Sequence, residues 1–201
     1  MDSMKISKRG EYTLRALIDM GIAKELGHEL VQIRELAEHE KLPVKFLEQI
    51  LIQLKAAGFI ASKRGKYGGY HLNMPLSKIK FGAVIRLIDG PLAPIACVSQ
   101  TAYERCTCPD EEHCGLRMLM LDVRNMLADI LDKYTLQDSV DVALHKMKTD
   151  NVPLPFLMKM IGNLNRTGPV GSVASSKTSA TGTTNRFGAK AGIPKKSKAG
   201  N

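Results

Sequence analysis

The chain has 201 residues, of which 44% are hydrophobic and 5% aromatic, with no Trp, so a folded core must be largely aliphatic. The formal net charge is +9, but residues 150–201 hold eight Lys or Arg and one acid. That segment carries +7 and leaves +2 for the first 149 residues, so whole-chain charge is weak support for nucleic-acid binding. No apolar run is long enough to span a membrane and no signal peptide opens the chain. We therefore expect a cytoplasmic protein with no membrane partner.

Three helices are predicted in the first 57 residues. Ser7 has the side chain of a good N-cap, and apolar residues follow it at helical spacing as far as Leu26. A short second helix is predicted over residues 32–39. Pro43 is expected in the first turn of a third helix, which runs to about residue 57. The buried stripe of this third helix comprises Leu47, Ile50, Leu51 and Leu54.

A β-hairpin is predicted after the third helix. Two strand-like runs, 59–62 and 70–72, flank a basic and glycine-rich stretch at 63–69. A fourth helix is expected next, with Ser77 as its N-cap and Ile88 near its end. Helix, turn, helix and basic hairpin in this order are typical of a winged helix-turn-helix.

A long helix with a regular apolar seam is predicted over residues 115–134. The seam alternates spacings of three and four, as the a and d positions of a coiled coil do. Residues 135–138, Thr-Leu-Gln-Asp, resemble a capping box that begins a last short helix. The seam residues are Leu116, Leu119, Val123, Met126 and Ile130.

The third helix is predicted to enter the major groove of DNA. Gln49 can pair with adenine, and Lys45 can reach phosphate or guanine. Glu48 and Gln53 are also expected to face outward. The alternative is that the head is a protein-interaction module whose charges form a solvated face. The hairpin tip offers side chains suited to phosphates or to the minor groove, namely Lys63, Arg64, Lys66 and Tyr67.

Four cysteines lie within 18 residues, at Cys97, Cys106, Cys108 and Cys114. In a reducing cytosol such clustering indicates metal binding or redox sensing rather than a disulfide framework. Thiolates are soft donors that suit an iron–sulfur cluster or zinc, and a metal-free thiol switch is a third alternative. The close spacing of Cys106 and Cys108 is tighter than in ordinary zinc knuckles. We expect no enzyme activity and no catalytic residue, because no nucleophile with a base and an orienting group is recognisable.

Three stretches resemble one known family. They are MKISKRGEYTLRAL at 4–17, FLEQIL at 46–51 and RGKYGGYHL at 64–72. These runs resemble the Rrf-type repressors, a family that includes IscR, NsrR and CymR, and the similarity extends over about residues 4–147. The resemblance implies a winged-helix head, a long dimerisation helix, and binding of a palindromic operator in double-stranded DNA by a homodimer.

The expected fold class is mostly α with a small β-hairpin wing, a winged helix-turn-helix followed by a long dimerisation helix. The expected parts are a DNA-binding domain at 4–75 and a region of cysteine loop and dimerisation helices at 76–149. Residues 150–201 are expected to form a basic, largely disordered tail, because their Gly, Ser, Thr and Lys content offers little to bury.

The resemblance also implies a cluster site. Many family members hold an iron–sulfur cluster on three cysteines before the dimerisation helix, whereas members of the CymR kind lack it. Five residues separate Cys108 from Cys114, as in the family's second and third ligands, which makes Cys97 the first. Ten residues lie between Cys97 and Cys108, more than the family's usual handful, and Cys106 is an additional candidate ligand. Some members add an oxygen ligand from the first helix of the opposite subunit, and Glu11 occupies such a position.

The first functional hypothesis is a homodimeric transcription regulator, expected to be a repressor. It would sense redox state, iron or nitric oxide through a 2Fe-2S or 4Fe-4S cluster. The alternative is a cluster-free regulator that is controlled by binding a metabolic enzyme or by thiol oxidation.

Overall fold

The computed structural model describes residues 6–156. The predicted fold class is confirmed, with helices around a small two-stranded antiparallel sheet. None of the helices in this range has the length and apolar character of a membrane span. The expected disordered tail lies outside the described residues from position 157 onward. The elements are α1 Lys8–Glu25, α2 Ile33–Glu40, α3 Val44–Ala56, β1 Ile60–Lys63, β2 Gly69–Leu72, α4 Phe81–Asp89, α5 Gly115–Lys133 and α6 Leu136–Thr149, with 3-10 turns at Leu76–Lys78 and Ala96–Val98.

Local capping explains where α1 and α6 begin. The Ser7 hydroxyl accepts a hydrogen bond from the Gly10 N–H at 2.9 Å, as expected for an N-cap. The Ser7 N–H also donates to the Asp89 carboxylate at 2.9 Å, which ties the start of α1 to the end of α4. At α6, Thr135 and Asp138 form the predicted capping box, with Thr135 N–H donating to Asp138 at 2.8 Å.

The predicted cap of α4 is wrong. Ser77 lies in a 3-10 turn, and α4 begins only after Lys80, whose side chain makes no capping hydrogen bond. The intervening Ile79 is extended and buried, and its carbonyl accepts the Leu136 N–H at 2.8 Å. This tertiary hydrogen bond holds Ile79 out of the helix and so delays the start of α4.

The hairpin is anchored to the loop before α2. Its strands pair antiparallel, with Ile60 opposite Leu72 and Lys63 opposite Gly69. Tyr70 of β2 also exchanges two backbone hydrogen bonds of 2.9 Å with Val31, just before α2 begins. The hairpin is therefore held at a fixed position beside α2.

The helices share one aliphatic core. Apolar side chains of α1, α2 and α3 pack together with those of α4 and α6. Gly21 lets α1 and α6 approach closely, because a Cβ at this position would lie 2.6 Å from Val140 Cγ2. The largest fully buried side chains are Leu17, Ile22, Val31, Leu36, Leu47, Ile50, Leu51, Leu54, Ile60, Ile79, Val84 and Leu136.

The predicted long helix is confirmed as α5, and it contributes no buried residue to this core. Val123 in the middle of its seam is half-buried. The other seam residues are each more than half exposed, namely Leu116, Leu119, Met126 and Ile130. We call these five residues the α5 ridge, and the single chain leaves it largely uncovered.

A buried ion network joins α1 to α2. The Asp19 carboxylate, almost fully buried, lies 2.6 Å from His39 Nδ1. The neighbouring Glu40 is also buried and forms an ion pair with Arg15 of α1. Burial raises the pKa of Asp19 from its usual 3.8 to about 7, and the nearby Glu40 carboxylate adds to this rise while His39 opposes it.

This network predicts a pH dependence of stability. Because the folded state holds a proton on Asp19 more tightly than the unfolded chain, its contribution is fully present below about pH 4 and is lost as the pH rises to about 7. The free energy of unfolding should therefore decline across this window, by at most about 1.4 kcal/mol per pH unit from this group. Asp19→Asn should flatten the decline, measured by urea unfolding at several pH values. Asp141→Asn on the exposed side of α6 is the matched control, and equal slopes in the parent and Asp19→Asn would contradict the assignment.

Candidate DNA interface and cysteine site

The outward face of α3 presents most of the predicted polar residues. Lys45, Glu48 and Gln49 are exposed, while the apolar stripe on the opposite side is buried. Gln53 departs from the prediction, because it is half-buried and its Oε1 atom is enclosed without a hydrogen-bond partner. Ile52, which sequence analysis did not single out, is 63% exposed on this helix.

The hairpin tip is basic and open to solvent. The four residues predicted there, Lys63, Arg64, Lys66 and Tyr67, are all exposed. Lys66 Nζ lies 5.7 Å from the centre of the Tyr67 ring, which keeps the cation beside the aromatic face. A cleft of about 440 Å³ separates the hairpin from the N-terminus of α2. Arg34 lines this cleft together with the hairpin cations. Sequence analysis missed this residue, although its basic side chain and its place in the first turn of α2 could have indicated it.

The four cysteines form a continuous chain of side-chain contacts. Cys97 is buried in the 3-10 turn Ala96–Val98, and the other three are half-buried. The Cys106 thiol contacts both Cys97 and Cys108, and Cys108 in turn contacts Cys114. Cys114 is the N-cap residue of α5, so the thiols lie at the start of that helix.

Glu111 joins this site, although no sequence motif indicated it. One donor atom each of Glu111, Cys97 and Cys106 lie within 4.8 Å of one another. The Tyr103 hydroxyl hydrogen bonds to both Glu111 oxygens, at 2.7 and 2.9 Å. Arg117 of α5 lies 3.4 Å from Glu111 and donates to the Cys97 carbonyl at 3.3 Å. These bonds hold the loop in one arrangement around the thiols.

The surroundings of the thiols shift their ionisation in opposite directions. Burial raises the pKa of Cys97, with a further contribution from Cys106. The backbone N–H of Cys108 donates to Cys106 and is the largest cause of a lowered pKa there. The hydrogen bond between the Cys106 and Cys108 side chains raises the pKa of Cys108 to about 11. Cys106 is therefore the member of this pair that ionises more readily.

Glu11 is partly exposed in the first turn of α1. Its carboxylate forms ion pairs with Lys8 at 2.8 Å and with Arg15 at 3.7 Å. The hydrogen bond from Lys8 is the largest cause of its lowered pKa, so Glu11 is an ionised surface carboxylate. Its placement beside the cysteine loop of a partner subunit stays a prediction.

Comparison with known proteins identifies the family. Residues 6–142 match the Rrf2 family, described as an iron-dependent transcriptional regulator. An rrf2-like HTH-type transcriptional regulator of Rhodobacter capsulatus is 36% identical over 135 residues, which cover 66% of this chain and 90% of the relative.

Solved structures agree with this match. CymR, the global cysteine regulator of B. subtilis, is 31% identical with a TM-score of 0.56, over 69% of this chain and 97% of CymR. T. potens IscR is 27% identical with a TM-score of 0.54, over 69% of this chain and 88% of IscR. The relatives are transcriptional regulators, which supports the expectation that this chain is not an enzyme. The chain belongs to the Rrf2 family and is a DNA-binding transcriptional regulator.

Proposed function

We propose that this regulator is a homodimeric repressor that binds a palindromic operator in double-stranded DNA. The observation that carries the proposal is the exposed face of α3 beside a basic hairpin, because this pair of elements matches a major-groove helix and its wing. Lys45 and Gln49 would contact bases or nearby phosphates. The wing residues Lys63, Arg64, Lys66 and Tyr67 would contact the backbone or the minor groove.

The α5 ridge supports the homodimer. Its side chains repeat at coiled-coil spacing from Leu116 to Ile130 of the 19-residue helix, and most are more than half exposed. A continuous apolar ridge of this kind is unfavourable in water unless a second surface covers it. The same ridge of another copy has the matching length and spacing, and a two-fold pairing would place two α3 helices on one DNA duplex.

We further propose that the cysteine loop binds an iron–sulfur cluster. Four soft thiol donors follow one another in a chain of neighbouring thiols and lie partly out of solvent, so the donor set suits such a cluster. Cys97, Cys108 and Cys114 are the proposed ligands, and Cys106, which lies between Cys97 and Cys108, is favoured as the fourth. Glu11 of the partner subunit is the competing fourth ligand. The cluster would supply a group that reacts with oxidants or nitric oxide and whose occupancy follows the iron supply.

The position of the thiols suggests how a signal would reach DNA. Cys114 is the N-cap residue of α5, and Arg117 one turn later is bonded to the loop that carries Cys97. A change in the loop would therefore shift the N-terminal end of the dimerisation helix. Because the proposed dimer contacts run along α5, such a shift would change the spacing of the two α3 helices.

Cluster-free regulation by thiols is the second candidate function. It is favoured by the contacts of the Cys106 thiol with two other thiols, which place it where oxidation could form a disulfide. The similarity to CymR supports the same candidate. Control through a bound metabolic enzyme is a further form of this alternative. A colourless protein after anaerobic purification would favour this class over the cluster.

The wing assignment predicts a change in the salt dependence of DNA binding. Arg64→Ala with Lys66→Ala should weaken binding to a duplex and lower the slope of log affinity against log salt by about one for each lost phosphate contact. Lys146→Ala, on the exposed side of α6, is the matched control for loss of charge. An unchanged slope in the double variant would contradict the assignment of the wing to the DNA interface.

The cluster assignment predicts a pattern among serine variants. Cys97→Ser, Cys108→Ser and Cys114→Ser should each abolish the visible absorbance of anaerobically purified protein, because a thiolate ligand is lost. Cys106→Ser should alter the spectrum and speed its loss in air, whereas Glu11→Ala should leave both unchanged.

Absorbance spectra with iron and sulfide assays measure these outcomes. Thr107→Ala, an exposed loop residue between two of the cysteines, is the control for disturbance of the loop. A normal spectrum in Cys106→Ser with rapid loss in Glu11→Ala would make Glu11 the fourth ligand. A colourless parent protein would reject the cluster altogether.

A further inference from the structure

Ile52 is an apolar side chain at the centre of the DNA-facing side of α3. It is 63% exposed, although the helix buries four other aliphatic residues on its opposite side. Because successive residues of an α-helix turn by about 100°, positions seven apart project in nearly the same direction. Ile52 therefore lies in line with Lys45, and Gln49 lies between them.

The surroundings of Ile52 fit nucleic acid better than an apolar protein partner. Lys45 and Glu48 on the same side of α3 are exposed and charged. Lys55, three residues beyond, donates to the Ser62 hydroxyl of the wing at 2.7 Å, so its cation is held near the hairpin. Ile52 is the most exposed aliphatic side chain of α3, with Val44 less exposed at 38%, and it lies among Lys45, Glu48 and Gln49. An aliphatic side chain with charged and amide neighbours matches a surface that displays phosphates, polar base edges and isolated methyl groups.

The C5-methyl of thymine is the apolar group that base pairs display in the major groove. We propose that Ile52 is a specificity-determining residue that recognises thymine by packing against this methyl group. Ala56, one turn further along and also exposed, leaves room for the groove edge to approach. This inference rests on the proposed major-groove position of α3, and it adds an apolar contact to the polar ones assigned above.

The test removes one methyl group at a time from the DNA. Full-length protein is first used to select binding sites from a random duplex pool, and each thymine of the selected site is then replaced by uracil. Loss of a methyl that Ile52 covers should weaken parent binding about fourfold, the value expected for one buried methylene-sized group. Ile52→Ala should bind the thymine site about as weakly as the parent binds the uracil site, and it should no longer distinguish the two.

Controls separate methyl recognition from other effects. Ala has a higher helix propensity than Ile, so Ile52→Ala should keep the fold, which a thermal midpoint checks. Val142→Ala, an exposed β-branched residue of α6, should retain the full sensitivity to uracil.

Two results would overturn the inference while the DNA interface stands. One is a parent protein that binds thymine and uracil sites equally at every position. The other is an Ile52→Ala variant that keeps the parent's sensitivity at every position. If selection enriches no duplex at all, the proposed interface fails and the role of Ile52 fails with it.

Discussion

The α5 ridge is the constraint on which the rest of the account depends. The rest of residues 6–156 leaves these side chains largely uncovered, since α5 contributes no residue to the core that the other helices share. The sequence nevertheless keeps them apolar at regular spacing. In the proposed homodimer a second copy would resolve this conflict, and pairing along α5 would also bring two α3 helices and two cysteine loops into one assembly.

Two side-chain contacts connect α5, through α4, to α1 of the DNA-binding head. Arg86 of α4 donates to both oxygens of Asp132 near the end of α5, each at 2.8 Å. Asp89 at the end of α4 accepts from the Ser7 N–H at the start of α1. The C-terminal end of α5 is thus fixed to the head, while its N-terminal end meets the cysteine loop. A change at the thiols would act on the N-terminal end of α5, through the bonds of Arg117 to Glu111 and to the Cys97 carbonyl.

Much of the fold could be predicted because its signals are local. The N-cap at Ser7 and the capping box at Thr135 depend on a few neighbouring residues, and both are found where the sequence indicated them. The predicted cap at Ser77 was wrong, because a hydrogen bond between Ile79 and Leu136, far apart in sequence, decides where α4 begins. Such a bond leaves no periodic pattern to detect.

The site was predictable in its residue types but not in its arrangement. The exposed positions of Lys45 and Gln49 follow from helical spacing, and the clustering of the cysteines is visible in the sequence. The approach of Glu111 to Cys97 and Cys106 arises from an irregular loop, whose path is set by Tyr103 and Arg117 rather than by any repeat.

The molar mass of the full-length protein in solution tests the central claim most directly. Light scattering at micromolar concentration should give twice the mass of one chain. Met126→Glu should reduce it to the mass of one chain, because a carboxylate at this ridge position, 62% exposed in the single chain, would be buried without a partner in the dimer. The monomeric variant should keep its helical content and lose affinity for an operator that the parent binds. A parent protein that is monomeric and still binds such an operator, or a Met126→Glu variant that remains a dimer, would contradict the account.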